Sequence, residues 1–227
     1  GRYDPGVSNP VTGTILTYTG TGTAIIVGGR GTILRDFMLV GSVNAAGGGI
    51  QLGNGTNMAG LSFSNMTIAG FTHATNGQGV FLQSTRSITT SSFHNVAFTN
   101  NRWGIYVDGT GSPGFTTFDC HSCSFAYNTA VGAYFNTNVS GVSLYSPTFQ
   151  GNGATGINII QASNFYLSKP FFEGNGRLSA GFDIDITSGS VTAPTDTVVV
   201  DEPNFGAGGA FRTSNIRTSD SRSVEIR

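Results

Sequence analysis

The sequence is poor in charge of either sign. Only 10% of its 227 residues are charged, the formal net charge is −1, and Lys169 is the one lysine. A chain with this balance has no field that would attract a polyanion. It also contains no run of about 20 apolar residues, the length that a membrane-spanning helix requires. We therefore expect neither nucleic-acid binding nor membrane insertion.

Cysteine is also scarce. The two cysteines, Cys120 and Cys123, form the motif Cys-His-Ser-Cys. A zinc site would normally need a second Cys/His pair at ligand spacing, and a thioredoxin-type motif would need a helix after a strand. Neither is present, so the expectation is two small buried side chains, with no metal and no cofactor. The redox compartment stays open.

Glycine, by contrast, is abundant, with 34 residues, and Ser, Thr and Asn are frequent. These residues favour turns and strands and leave few helix formers. The composition therefore predicts an all-β protein.

One pattern of apolar and polar positions recurs seven times along the chain. Two apolar or small residues two apart are followed by a polar pair and then by two more such residues. The copies are 32–39, 61–68, 91–98, 118–125, 142–149, 165–172 and 198–205. Alternation predicts strand, two-residue bend, strand, with Asn65 and Asn95 in the bend because Asn tolerates left-handed backbone angles.

Between these copies lies another short strand, usually introduced by Gly or Ala, as in Gly104-Ile-Tyr-Val107. Three strands per repeat of about 23 to 33 residues predict a right-handed parallel β-helix of about seven coils. Its inward ladder would contain Leu34, Phe63, Phe93, Cys120, Leu144, Leu167 and Val200, and Asn101, Asn128, Asn152 and Asn175 would form a ladder of amide hydrogen bonds. A β-sandwich, the alternative, would instead need antiparallel hairpins.

The motif Gly-x-Gly-x-x-Gly occurs at Gly151, Gly153 and Gly156. In a dinucleotide site this motif opens a helix whose N-terminus holds the pyrophosphate. Here the next segment is predicted to be a strand. The glycines therefore indicate a turn between coils.

We divide the chain into a lead-in segment (1–17), the β-helix domain (18–212) and a last part (213–227). Val224 and Ile226 repeat the pattern of Val198 and Val200. Because a β-helix needs a cap on its last coil, we expect residues 213–227 to start a further coil or to connect to a missing C-terminal part.

The three-strand coil and the stretch YTGTGTAIIVGGRGTILRDFMLVG (18–41) resemble pectate-lyase-like right-handed β-helix proteins, and among them viral tailspikes and polysaccharide depolymerases. The resemblance extends over about Thr14 to Phe205. It implies an extracellular or virion-tail protein that binds and hydrolyses a long cell-surface polysaccharide, and it implies a homotrimer. The same superfamily includes polysaccharide lyases and non-catalytic stalks, and the family's polygalacturonase signatures are absent here.

Outward positions of the strand that follows the Gly or Ala form a candidate glycan groove. Exposed aromatic rings suit the apolar faces of sugars, and neighbouring amides and carboxylates suit their hydroxyl groups. The candidate glycan-binding residues are Gln51, Phe81, Tyr106, Asp108, Tyr134, Asn136 and Asn158. Alternatively, these aromatic residues face a partner subunit or a covering loop.

The candidate catalytic residues are Asp183, Asp185 and Glu173. Alignment of the repeats predicts that Asp183 occupies, on the coil after Asn158, the same outward position as Asn158. Phe211 would occupy that position on the following coil. Two aspartates two apart on one strand have Cα atoms roughly 6.6 to 6.8 Å apart on one side. This distance is compatible with the ~6.5 to 9.5 Å of an inverting glycosidase. Glu173 is an alternative acid, and two solvated aspartates without a catalytic role are the alternative interpretation.

His94 and His121 occupy equivalent outward positions of successive repeats, as Tyr106 and Tyr134 do. We expect each pair to stack on the surface. Two histidines alone are too few ligands for a metal.

Overall fold

The computed structural model describes residues 13–42, 47–53, 57–82, 87–108, 114–187, 196–219 and 224–227. Over these ranges the chain winds into a β-solenoid of about seven coils. Every regular element in them is a strand, and every strand pair is parallel. The described part therefore contains no helix of the length and apolarity needed to cross a bilayer. The predicted coil is confirmed and the antiparallel sandwich is excluded.

Some strands are short because they belong to one side of a coil. Others are long because the chain continues round a corner while its backbone stays paired with the neighbouring coils. Their bounds are β1 (Thr14–Tyr18), β2 (Ile25–Val27), β3 (Ile33–Gly41), β4 (Ile50–Leu52), β5 (Met58–Ala69), β6 (Gln78–Leu82), β7 (Ile88–Thr99), β8 (Trp103–Asp108), β9 (Phe115–His121), β10 (Ser124–Ala126), β11 (Val131–Tyr145), β12 (Thr148–Gln150), β13 (Ile157–Ser168), β14 (Phe171–Glu173), β15 (Gly181–Thr187), β16 (Asp196–Asp201), β17 (Asn204–Phe205), β18 (Arg212–Ser219) and β19 (Val224–Ile226).

Three parallel sheets run along the solenoid. Sheet 1 contains β2, β4, β6, β8, the first parts of β11 and β13, β15 and β18. Sheet 2 contains the first parts of β3, β5 and β7, then β9, the later parts of β11 and β13, β16 and β19. Sheet 3 contains β1, the last parts of β3, β5 and β7, and then β10, β12, β14 and β17.

The corner between sheets 2 and 3 keeps one length because each coil places one residue in the left-handed region there. Asn65 and Asn95 have φ values of 51° and 54°, which confirms the prediction from their residue type. The Nδ2 of Asn95 donates to Oδ1 of Asn65 at 3.1 Å. The backbone preference of asparagine thus favours the bend in each coil, and the side-chain hydrogen bond connects the bends of neighbouring coils.

The interior is a set of aligned side chains, as the repeat predicts. Leu34, Phe63, Phe93, Cys120, Leu144, Leu167 and Val200 are in register along sheet 2. On sheet 3 the rings of Phe98, Phe125, Phe149 and Phe172 stack with centroids 5.0, 4.8 and 5.0 Å apart. These distances match the spacing of parallel strands, so each ring contacts the ring above and the ring below.

The asparagine ladder is confirmed, and it lies inside the corner between sheets 3 and 1. Its four members are fully buried: Asn101, Asn128, Asn152 and Asn175. Asn152 shows the pattern, since its Nδ2 donates to the backbone oxygen of Phe125 at 2.9 Å and to Oδ1 of Asn175 at 2.8 Å. Each amide therefore satisfies polar groups that would otherwise be buried without partners.

Cys120 and Cys123 are buried, as expected, but they are joined in a disulfide, which the sequence did not predict. The corner brings their Cα atoms to 6.0 Å, within the range that a disulfide bridges. The sequence shows only that two residues separate the cysteines, and this spacing alone does not reveal that a corner brings them together.

The glycine motif lies in a turn, as predicted. Gly151 has φ 60° at the end of β12, and the segment after Gly156 is strand β13. Residues 1–12 of the predicted lead-in lie outside the described residues, and β1 pairs with β3 from Thr14 onwards.

Candidate functional site

The outward column of sheet 1 is the main candidate site. Strand register aligns Gln51, Phe81, Tyr106, Tyr134, Asn158, Asp185 and Arg217 on successive coils. The predicted column is therefore right as far as Asn158 and wrong after it. The sequence predicts Asp183 and Phe211 at the next two positions of the column, whereas the structure has Asp185 and Arg217 there.

The displaced register follows from the position of Asp183. Ile184 pairs with Ile157, so Asp183 stands opposite Gly156. On the earlier coils this position is a glycine, and it lies against an asparagine of the ladder. Its carboxylate turns into the end of that ladder and accepts from Nδ2 of Asn175 at 2.8 Å. The side chain is fully buried. Asp183 thus supplies the acceptor that a fifth asparagine would have supplied.

Arg212 completes this buried end. Its Nη1 donates to Oδ2 of Asp183 at 2.9 Å. Burial raises the pKa of the Asp183 carboxyl above its ordinary value, and the hydrogen bond from Asn175 and the charge of Arg212 oppose that rise. The predicted exposure of Asp183 on the outer surface is wrong.

Asp185 does lie on the outer side of the strand, but Arg217 covers it. The Nε of Arg217 donates to Oδ1 of Asp185 at 2.7 Å, and Nη2 donates to Oδ2. Asp185 is 3% exposed, and the guanidinium carbon lies 4.2 Å from the ring centroid of Phe182. The hydrogen bond with Asp185 raises the pKa of Arg217. The pair is bidentate and partly enclosed.

The predicted catalytic residues have three different surroundings. Asp183 is in the ladder corner, Asp185 is beneath Arg217, and Glu173 lies on sheet 3, where it accepts from Nε2 of Gln150 at 2.8 Å. Across the described ranges, no hydrogen bond joins Glu173 to either aspartate. The structure therefore does not bring the three side chains together.

The aromatic part of the column forms a stack. The rings of Tyr106 and Tyr134 are 4.9 Å apart and within 3° of parallel, and Trp103 packs on Tyr106 at 5.1 Å. Arg102 lies over the Trp103 ring at 3.8 Å. Phe81 is only 8% exposed, so it adds little surface. Sequence reasoning missed Trp103 and Arg102, although Trp103 begins the same strand as Tyr106.

Polar groups flank the tyrosines on the neighbouring column. The Nδ2 of Asn136 donates to Oδ1 of Asp108 at 3.3 Å, so two more predicted residues are adjacent. Burial and then the charge of Asp108 raise the pKa of Tyr106 to about 12. The same two causes, in the same order, raise the pKa of Tyr134. Both phenols are therefore hydrogen-bond donors at neutral pH.

The stack ends at Asn158. Because Tyr106 and Tyr134 are parallel and one coil apart, the second face of Tyr134 points towards the coil of Asn158. The Asn158 side chain is too short to cover that ring. Its Oδ1 is buried, and no partner for it exists in the described part of the chain. We call the surface formed by Tyr134, Asn158, Asp185 and Arg217 the sheet 1 notch.

The donor set of this face suits an organic ligand. In the ranges that the structure describes, no group of three or more His, Cys, Asp or Glu side chains is placed to hold a metal ion. The notch combines one aromatic face, one amide and one ion pair. It can pack against an apolar ring and exchange hydrogen bonds with hydroxyl groups.

No protein-family model matches the chain, and no curated protein matches it. Among solved structures, the chain is similar to the A-module of mannuronan C-5 epimerase AlgE4 of Azotobacter vinelandii, at 13% identity and a TM-score of 0.49, over 95% of this chain and 76% of that one.

Two phage proteins are also similar in structure. The enzymatically active domain of tailspike protein 2 of bacteriophage CBA120 has 9% identity and a TM-score of 0.42, over 92% of this chain and 42% of that one. ORF18 of Geobacillus virus E2 has 10% identity and a TM-score of 0.37, over 90% and 52%. The chain thus spans about half or less of the two phage proteins. These identities and TM-scores are low, and the solenoid is established by the strand pairing described above.

Proposed function

We propose that the outer face of sheet 1 binds a polysaccharide, with a sugar unit in the sheet 1 notch. The observation that carries the proposal is the parallel pair Tyr106 and Tyr134, which ends over Asn158. A pyranose ring packs its C–H face on an aromatic ring, and its hydroxyl groups exchange hydrogen bonds with amides, carboxylates and guanidinium groups. Asn158 follows Tyr134 on the next coil, and the ion pair of Asp185 and Arg217 follows Asn158, so an amide and charged groups stand beside the aromatic pair.

The shape of the face supports a long ligand rather than a single sugar. Tyr106 and Tyr134 are in contact along the solenoid axis, Trp103 widens the aromatic surface along the strand of Tyr106, and Asp108 and Asn136 follow on the next column. Successive coils present these groups at the spacing of parallel strands. A chain of sugar units running along the axis would contact several coils in turn.

The proposal is limited to binding. Inverting hydrolysis needs one carboxylic acid at the leaving oxygen and one carboxylate beside a water molecule. Asp183 is fully buried, and Asp185 is covered by its bidentate partner Arg217. Catalysis by Asp183, Asp185 or Glu173 stays a prediction from the sequence. An extracellular or virion location is part of the proposal and is supported by the disulfide, because disulfides persist in oxidising surroundings.

The test uses Trp103 as a reporter, since it is the single tryptophan of the chain. Dextran, pullulan and alginate are titrated into the protein, and tryptophan fluorescence is recorded. The variant Asn158→Tyr fills the notch by extending the tyrosine stack, and we expect it to weaken binding about tenfold or more. The matched control is Ser92→Tyr, which adds the same side chain at a half-buried outward position of sheet 2 away from this face. Equal affinity of the native protein and the Asn158→Tyr variant would contradict the proposal. New reducing ends in the native sample alone would add hydrolysis to it.

A further inference from the structure

A second aromatic ladder lies on the outer face of sheet 2, outside the site described above. His94 and His121 stack with centroids 6.2 Å apart, and His121 stacks on Tyr145 at 4.5 Å and 14°. Both imidazoles are exposed. The ladder ends at Ser168, which pairs with Tyr145 on the next coil. The second face of Tyr145 therefore points towards the coil of Ser168 and Tyr166.

Two further groups enclose the space above Ser168. Tyr166 lies on the same strand, and its ring meets that of Tyr145 nearly edge-on, at 5.9 Å and 68°. Its hydroxyl donates to Oδ2 of Asp201 at 3.1 Å, and Asp201 pairs with Ser168 on the following coil. A ring face, a ring edge, a serine hydroxyl and a carboxylate are thus adjacent on this surface. We call the surface formed by Tyr145, Tyr166, Ser168 and Asp201 the sheet 2 notch.

The two notches are built alike and lie on the same coils. Tyr134 and Tyr145 are both in β11, while Asn158 and Ser168 are both in β13. In each notch a stacked aromatic pair ends over a short polar side chain, and an aspartate stands on the next coil. The difference is charge. Asp185 is neutralised by its bidentate partner Arg217. Near Asp201, Lys169 pairs with Glu202 at 3.4 Å, and Arg227 pairs with Glu225 at 2.8 Å and also interacts electrostatically with Asp201.

We propose that the sheet 2 notch is a second carbohydrate site and that its ligand is a neutral sugar unit. Tyr145 would carry the C–H face of the pyranose ring, and Asp201 and Ser168 would accept hydroxyl hydrogens. Three carboxylates, Asp201, Glu202 and Glu225, share two cations, Lys169 and Arg227, around this site. This excess of negative charge repels a uronic acid, so the site selects neutral glycans. The inference stands on its own contacts and does not depend on the sheet 1 notch.

Histidine NMR tests this inference, because the chain has three histidines and two of them are in the ladder. His121 reports on Tyr145 through direct stacking. His73 is the internal reference, since its Nδ1 accepts from the backbone N–H groups of Thr75 and Asn76 in a turn before β6. Imidazole spectra of the isotope-labelled full chain are recorded during titration with oligosaccharides of dextran, pullulan and alginate.

We expect a neutral glucan to shift the His121 resonances, to leave His73 unchanged and to give no response with alginate. Tyr145→Ala and Ser168→Tyr each lower the affinity measured at His121 about tenfold or more, whereas Asn158→Tyr leaves it unchanged. The Ser168→Tyr variant removes no side-chain hydrogen bond that the described residues make, and urea unfolding of this variant checks that its fold is retained.

Three outcomes overturn the inference. The first is no His121 shift with any of the three glycans, whether or not Trp103 fluorescence responds. The second is a His121 shift that Asn158→Tyr abolishes, which would make it a remote effect of sheet 1. The third is a His121 shift that follows protein concentration without sugar, which would identify the face as a contact between copies of this chain.

Discussion

Asp183 shows how one residue changes role with the register of its strand. On the outer surface it would have been a solvated carboxylate, but opposite Gly156 it is buried at the end of the asparagine ladder. Burial favours the protonated form and therefore raises the pKa of this side chain, against the opposing effects of Asn175 and Arg212. The folded protein consequently holds this proton at pH values where the unfolded chain has released it.

A pH dependence of stability follows from that shift. Where the folded state binds more protons than the unfolded state, the free energy of unfolding falls as pH rises. We expect this fall between the ordinary pKa of aspartate and the raised pKa of Asp183. Urea unfolding of the native protein and of Asp183→Asn across this range would measure it, as the difference between the two. If the difference in unfolding free energy between the native protein and the variant stays constant with pH, Asn175 and Arg212 balance the effect of burial. If it grows with pH, they outweigh burial. Either result would contradict the raised pKa.

Tyr106 provides a second test at a single residue. Its pKa is about 12, and Asp108 contributes to that value after burial. In an alkaline titration followed by phenolate absorbance, we expect Tyr106 to ionise after an ordinary tyrosine. Asp108→Asn should move the pKa of Tyr106 down without restoring the ordinary value, because burial remains. Asp119→Asn, on sheet 2, is the control that leaves this transition in place.

At the scale of the element, the corner before sheet 1 depends on glycine. A Cβ added to Gly132 would lie 2.5 Å from the backbone oxygen of Gly156, 3.0 Å from Nδ2 of Asn152 and 3.1 Å from Cβ of Phe125. None of these atoms is the free end of a flexible side chain. The glycine is therefore required by the close approach of two coils and the ladder.

Gly132→Ala should consequently destabilise the protein by about 1–3 kcal/mol, as overpacking of a tight core does. The matched control is Gly29→Ala, whose new Cβ would meet only Oγ1 of Thr32 at 3.6 Å. We expect this change to stay within about 0.5 kcal/mol, as surface substitutions do. Chemical denaturation measures both, and equal losses at the two positions would contradict the packing described for the corner.

The sequence predicted those elements whose pattern every coil repeats. The inward ladder, the bends at Asn65 and Asn95 and the buried asparagines follow from residue type and constant spacing. The register of β15 did not follow, because Gly181 imitates the glycine that usually begins the strand while Asp183 occupies its position. The notches were also not predicted, since each depends on side chains from three or four different coils.

At the scale of the molecule, the coils differ in how many neighbours support them. Strand β11 pairs with strands on both sides, whereas within the described ranges β1 pairs only with β3 and β19 pairs only with β16. In a solenoid, stability is close to a sum over coils and the interfaces between neighbours. Most residues of β1 and β19 are exposed, whereas most of β11 is buried or half-buried, so β1 and β19 have less support than β11.

Hydrogen exchange followed by mass spectrometry should show this gradient. Peptides from β11 and β13 are expected to exchange last, and peptides from β1 and β19 first, because terminal strands open without disturbing the rest. Uniform protection along the chain would indicate that the ends are covered, for example by a further copy. The homotrimer implied by the family resemblance stays a prediction, and sedimentation of the same sample would test it.

The most direct measurement is an intermolecular nuclear Overhauser experiment on the complex with an oligosaccharide of whichever polysaccharide changes Trp103 fluorescence. We predict contacts from sugar ring protons to the ring protons of Tyr134 and to the side-chain amide of Asn158. Sugar contacts confined to sheet 3, or to the two ends of the solenoid, with none to Tyr134, would contradict polysaccharide binding by sheet 1.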